Sequence, residues 1–342
     1  MNGVIALVYW QTTLIKVVGV IAAVLLPAGA FVQTYLFKMV SHLQSRLGPM
    51  EAGPHGSLQL LAEVGKSIQK EDIVPERADR TVFKMAPYLI IASVLLIYVV
   101  VPFGPDAFFA NFDAGVFYAL AVSSISVIGV LIAGWASANK YSLMGGLRAA
   151  GQLIAYELPM VLAVVGVVIQ AGTMNLQGIV AAQANGEIFG WSAIGNPYVL
   201  TQAAGLFIFL VAMQAENTQT PFDMPVAESE LVTGYMTEYS GLRFLLFFIG
   251  EFAAVGAFSA VAATLFLGGW YFPGFSLTAN YMNVVGPAIL FAKVMVLAFI
   301  VFWVRFTYPR LREDQLQMFA WKYLIPLSLV NIVATAVLKV VF

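Results

Sequence analysis

Residues 115–136 read GVFYALAVSSISVIGVLIAGWA, without one charged side chain. A helix over this stretch would be about 33 Å long at 1.5 Å per residue, enough to cross ~30 Å of bilayer hydrocarbon. Working outward from it, comparable apolar runs fall near 12–36, 86–104, 152–172, 198–215, 242–271, 285–306 and 321–341. Composition agrees, since 61% of the 342 residues are hydrophobic and 10% are charged, against roughly 25% charged in a soluble domain. The pattern predicts an all-α fold, a polytopic membrane helix bundle of about eight transmembrane helices. No fixed-period repeat divides residues 1–342, so a single membrane domain is expected. The first span is long and lacks a small-residue cleavage site, so it reads as a retained anchor.

Charge placement sorts the connections into two groups. Segments 38–85, 137–151, 216–243 and 305–322 carry seven, two, one and four Lys and Arg residues, whereas 105–114, 173–197 and 272–284 carry none. A missed or invented span would scramble this division. By the positive-inside rule the basic loops face the cytoplasm and both termini face the periplasm of a bacterial inner membrane. Within the first basic loop, residues 57–71 (SLQLLAEVGKSIQKE) place Leu58, Leu60, Leu61, Val64 and Ile68 at helical spacing. That predicts an amphipathic surface helix, with a plain solvated connector as the alternative.

The chain has no cysteine and only two histidines, His42 and His55, both in the first loop. It therefore carries no iron–sulfur cluster or disulfide of its own, and no pair of intramembrane haem ligands. Nothing in its composition suggests a nucleic-acid partner; membrane lipids are the expected surroundings.

Ionisable residues within spans are costly, at least ~2.5–3.5 kcal/mol each near the bilayer centre, and so mark functional positions by default. Four stand out: Glu157, Glu216, Glu251 and Lys293. Between Glu216 and Glu251 the chain adds Asp223, Glu228, Glu230 and Glu238 against the single cation Arg243. Crowded carboxylates near a low-dielectric boundary raise one another's pKa and can exchange protons near neutral pH. The competing readings are a solvated acidic loop and, for Lys293, a structural ion pair with a glutamate.

Four ordered stretches then resemble one family. They are QSRLGPMEAGPHGSLQLLAEVGKSIQKEDIVPERAD from Gln44, ASANKYSLMGGLRAAGQLIAYELP from Ala136, AENTQTPFDMPVAESELVTGYMTEYSGLRF from Ala215, and RFTYPRLREDQLQMFAWKYLIP from Arg305. Together they are similar to the quinone-site membrane subunits of bacterial NADH:quinone oxidoreductase (respiratory complex I). The resemblance implies a quinone chamber at the basic-loop face, with quinone as substrate and Arg46, Glu63, Phe222 and Asp223 lining it. It implies a proton-coupling set of Glu157, Glu216, Glu228, Glu230, Glu238, Glu251 and Lys293, with no catalytic redox centre and no metal on this chain. Flavin and iron–sulfur clusters are implied on partners: cluster-bearing subunits of the peripheral arm, beside small and antiporter-like membrane subunits.

Departures from the family pattern are local. Leu36 and Phe37 precede Lys38 where the family usually carries Glu-Arg-Lys, Gln219 replaces an arginine, Val226 replaces a glutamate, and Glu63 replaces an aspartate. Acid and base are lost together, which suggests a more apolar chamber suited to a different quinone or electron donor. Two alternatives stay open: a homologous subunit of an energy-converting hydrogenase or ferredoxin-linked complex, and a free-standing ion transporter.

Overall fold

A computed structural model describes residues 2–186, 195–275 and 281–341 of the chain. Every regular element among the described residues is helical. Seven of these helices are long and apolar enough to cross a membrane. In chain order, with the shorter helices included, the elements are α1 (Trp10–Leu43), α2 (Gln59–Gln69), α3 (Arg80–Val100), α4 (Gly115–Ala136), α5 (Lys140–Ala171), α6 (Leu176–Asn185), α7 (Ala203–Glu216), α8 (Gly241–Phe266), α9 (Met282–Thr307) and α10 (Glu313–Val341).

The fifth apolar run is the exception. It folds as a helical turn, Tyr198–Thr201, then a break at Gln202, then α7, whose 14 residues make a helix of about 21 Å. A break inside a bilayer requires substitute partners for freed polar groups. Buried Gln202 donates to Thr335 Oγ1 at 2.7 Å, and Asn331 donates to Gln202 Oε1 at 3.0 Å. These bonds tie the break to α10, which is otherwise the most peripheral span.

Helix ends follow their capping residues. Asp79 accepts from the Thr81 and Val82 amides to start α3, Asn139 accepts from the Tyr141 amide to start α5, and Asn175 starts α6, each filling otherwise orphaned N–H groups. Gly172, at φ 73°, closes α5 in the left-handed conformation that glycine takes without strain.

α8 forms the centre. Its inward face is dominated by Ala253, Val255, Gly256, Ala257 and Ala260, all buried or nearly so, and small residues let neighbouring backbones approach closely. The α4–α5 crossing shows the same device: a Cβ on Gly134 would meet Ser142 O at 2.6 Å and Gly146 Cα at 3.1 Å.

α1 contains a π-helical stretch, Val32–Met39. There Tyr35 stacks on Phe302 at 5.4 Å and donates to Met295 O at 2.7 Å, fastening α1 to α9. Beside it, α2 is the predicted surface helix. Leu60 turns inward against Gly29, while Leu58, Leu61 and Ile68 stay exposed, as expected of a helix lying in the interface. Its C-terminal side is pinned to the start of α8: Arg243 pairs with Asp72 at 3.0 Å, and Ser240 Oγ donates to Glu71 O at 3.0 Å.

Candidate functional site

The end of α7 enters a region where three crossing elements bring polar groups together. Gln152 of α5 donates to Ala215 O at 2.7 Å, and Gln214 donates to Thr220 O at 2.7 Å and Val301 O at 3.2 Å. These amide bonds fix the chain as it leaves the helix, and they aim Glu216 and Asn217 into an internal cavity of about 60 Å³. Its walls combine apolar residues of α3 and α8 with Ser93, Ser123, Ser126, Thr218, Tyr235 and Glu251.

Glu216 is buried, and its Oε2 meets no protein donor among the described residues, nor does Asn217 Oδ1. A buried orphaned carboxylate oxygen is costly unless protonated or hydrated. A largely apolar space of this size, with these carboxyl, amide and hydroxyl groups in its wall, holds on the order of a few water molecules. Both conditions for proton uptake, an unsaturated carboxyl group and room for water, thus meet at one place.

Glu251 of α8 also lines the cavity and is engaged differently. Its Oε1 accepts from Gln219 Nε2 at 2.6 Å and from Arg305 Nη1 at 3.2 Å, while Arg305 also donates to Gln219 Oε1. Gln219 is fully buried and uses both ends of its amide, donating to the carboxylate and accepting from the guanidinium. An arginine at this position could only donate. The guanidinium is further flanked by the Phe252 and Phe306 rings, 6.0 and 5.8 Å from their centroids.

Glu157 of α5 accepts a hydrogen bond from Ser124 Oγ of α4, and its charge lies near enough to act on Glu216. Phe222 is buried edge-on against Tyr156 at 5.1 Å. Half-buried Asp223 and Glu251 both act on the Tyr235 phenol, whose pKa is raised first by burial and then by these two charges. Glu216 and Glu251 thus line the cavity itself, with Glu157 acting on Glu216 and Asp223 on Tyr235 from beyond its walls.

The remaining expected residues lie elsewhere. Glu230 is on the exposed rim, bridged to Arg148 at 2.7 Å and Arg310 at 2.5 Å; the hydrogen bond from Arg148, followed by the two arginine charges, lowers its pKa. Glu238 accepts from Asn139 at 2.5 Å beside an open notch of about 570 Å³ that also holds Arg77 and Lys140. Glu63 accepts from Gln59 at 3.3 Å on α2, and exposed Arg46 donates to Gln44 at 2.8 Å. The Glu228 backbone begins the helical turn Glu228–Leu231, but its side chain lies outside the described residues.

Lys293 is held by backbone groups. Its ammonium donates to the carbonyls of Leu267, Gly269 and Tyr271 at 2.6, 2.7 and 2.6 Å, which fills all three donors. It closes the far end of α8, about 24 Å along the helix from Glu251, and these carbonyls take the place of the glutamate that the competing ion-pair reading required.

Two groups were missed by sequence reasoning. Arg305 entered only as a loop charge, though it ends a span. The serine run SSIS at 123–126, the most polar patch in its helix, was the available signal for the cavity wall.

Comparison with known proteins gives the family. The family model described as NADH dehydrogenase matches residues 15–336. The NADH-quinone oxidoreductase H subunit of Brevibacillus brevis is 42% identical over 330 residues, covering 96% of this chain and 94% of that protein. An H subunit of the same enzyme from Syntrophobacter fumaroxidans is 43% identical over 332 residues, covering 94% of each. That of Dehalococcoides mccartyi is 43% identical over 300 residues, covering 87% of this chain and 79% of that protein. Identity of this level along nearly the whole length, over a polytopic bundle, has one consequence: the chain belongs to the NADH dehydrogenase family, as an H-type membrane subunit of the NADH-quinone oxidoreductase complex.

Proposed function

We propose that this protein builds much of the quinone chamber at its basic-loop face and couples reduction of quinone there to proton translocation through the acidic cavity. The observation that carries the reading is the cavity between α3, α4, α7 and α8, whose lining includes both Glu216, with its unpartnered carboxyl oxygen, and Glu251. Flavin and iron–sulfur clusters belong to partner subunits of the peripheral arm, and small and antiporter-like membrane subunits continue the membrane arm. The basic loops face the cytoplasm of a bacterial inner membrane, the termini face the periplasm, and the chain acts as one membrane domain.

The coupling step is electrostatic. Reduction of a bound quinone places negative charge near the loop carrying Phe222 and Asp223, and at short range in low dielectric such a charge shifts carboxyl pKa values by whole units. Glu216 then takes up or releases a proton through the cavity water, with Glu157 and Glu251 responding. Glu228 and Glu238 extend the acidic set toward the loop surface, while Glu230, held ionised between Arg148 and Arg310, clamps its own loop to α5 and to the α9–α10 connection.

The test uses membrane vesicles containing the assembled complex. Glu216→Gln is expected to lower NADH:quinone reductase activity and proton pumping together by more than about tenfold, the cost of removing a proton-transfer group. Normal assembly with both activities at wild-type level would refute the role of the cavity.

A further inference from the structure

A second and larger cavity, about 550 Å³, lies between α1, α8 and α9. Gly19, Ala23, Ala30, Gly256, Ala260 and Phe291 line it. Exposed Leu26 and Phe291 sit at its edge, so it opens sideways to the hydrocarbon. Among the described residues its one polar side chain is Tyr98, whose hydroxyl donates to Ala253 O, 3.3 Å away. The cavity is thus shaped for a flexible apolar chain.

Position along α1 decides which chain. Lys16 and Lys38 stand 22 residues apart, about 33 Å along the helix, and so bracket the ~30 Å hydrocarbon layer. The lining from Gly19 to Ala30 covers about 17 Å of it, close to one leaflet. It begins one turn below Lys16, on the side of the connections that lack Lys and Arg. Lys16 Nζ donates to Phe109 O at 3.0 Å, and the Phe109 ring packs over Gly19, where a Cβ would meet it at 2.7 Å. The ammonium spends one of three donors on this bond, leaving two for a ligand at the outer rim.

We propose that the cavity is a lipid site, in which one acyl chain of an anionic phospholipid from the leaflet opposite the basic loops fills the space while its phosphate rests on Lys16. A phosphate on the ammonium satisfies charge at the rim, and the chain covers small residues that would otherwise leave α1 poorly supported. An isoprenoid quinone fits less well, because its neutral headgroup offers Lys16 no counter-charge and the wall offers that headgroup no free donor.

The assembled complex in nanodiscs, with spin-labelled phosphatidylglycerol and spin-labelled phosphatidylcholine as probes, tests this. Wild type is expected to immobilise phosphatidylglycerol preferentially. Lys16→Gln should reduce that preference about threefold, the size of an exposed ion pair, and leave the cavity intact. Ala23→Phe, which fills the cavity, should abolish immobilisation of one lipid per complex. Should Ala23→Phe not assemble, Lys16→Gln is paired with a photoreactive phosphatidylglycerol whose acyl chain must crosslink to α1 or α9. Equal immobilisation of both lipids in wild type, unchanged preference in Lys16→Gln, or displacement of the label by a long-chain quinone or by the helix of a partner protein would overturn the assignment.

Discussion

Replacing Arg305 by methionine removes the guanidinium that joins α9 to the α7–α8 loop and leaves the flexible side chain's bulk largely in place. Its pair with Glu251 is partly shielded, with side chains 24% and 18% exposed. The loss therefore falls between the ~1 kcal/mol of an exposed pair and the 3–5 kcal/mol of a broken buried one, at about 2 kcal/mol. Gln219 Oε1 also loses its donor, adding about 1 kcal/mol, so the total is about 3 kcal/mol. At 1.4 kcal/mol per factor of ten, that corresponds to roughly a hundredfold change in the equilibrium holding this junction closed. The assay is thermal inactivation and native-gel assembly of the complex, beside its NADH:quinone reductase rate. Gln219→Arg alone sets two cations against one carboxylate and should also destabilise. Combining Gln219→Arg with Arg305→Met returns a single guanidinium to Glu251 and should recover more than about 1 kcal/mol, well outside the additivity error of independent sites. Additive losses within about 0.5 kcal/mol would refute the shared junction.

Other consequences concern the rim and the far end of the bundle. Glu230 has a depressed pKa, so its contribution is present above the ordinary carboxylate range and is lost as pH falls through the lower folded value. Proteolysis of the 216–243 loop is accordingly expected to stay slow from neutral pH down past the usual carboxylate pKa and to quicken only below it. Glu230→Gln should remove that protection at every pH. Lys293→Met strands three carbonyls and is expected to lower the thermal stability of the complex by a few kcal/mol, with Lys293→Arg restoring most of it. Normal stability of Lys293→Met with altered pumping would instead assign the lysine to proton movement.

Most of the architecture was legible because the bilayer imposes a length: seven of the eight apolar runs became helices of crossing length. The break at Gln202 escaped that reading, since Gln202 sits in an apolar run whose partners Asn331 and Thr335 lie more than a hundred residues away. The acidic stretch was legible as a set but not as an arrangement. Glu216 and Glu251 face one cavity, while Glu230 and Glu238 bond to loop residues outside it. Loop geometry separates what sequence places side by side. Lys293 looked like a membrane-buried charge in need of an acid, and three backbone carbonyls meet that need from a helix end that no periodicity reveals.

The π-helical stretch of α1 has a consequence for how this helix can change. A widened turn accommodates more residues than an α-helical one, so Val32–Met39 can lose a single residue and close to an α-helical turn while the two halves of α1 keep their azimuths. The same deletion from a regular stretch of the helix would turn the halves against each other by about 100° and carry Tyr35 away from the α9 backbone. The stretch behaves as an expansion joint, absorbing a change in residue number while both ends of one helix keep their bearings.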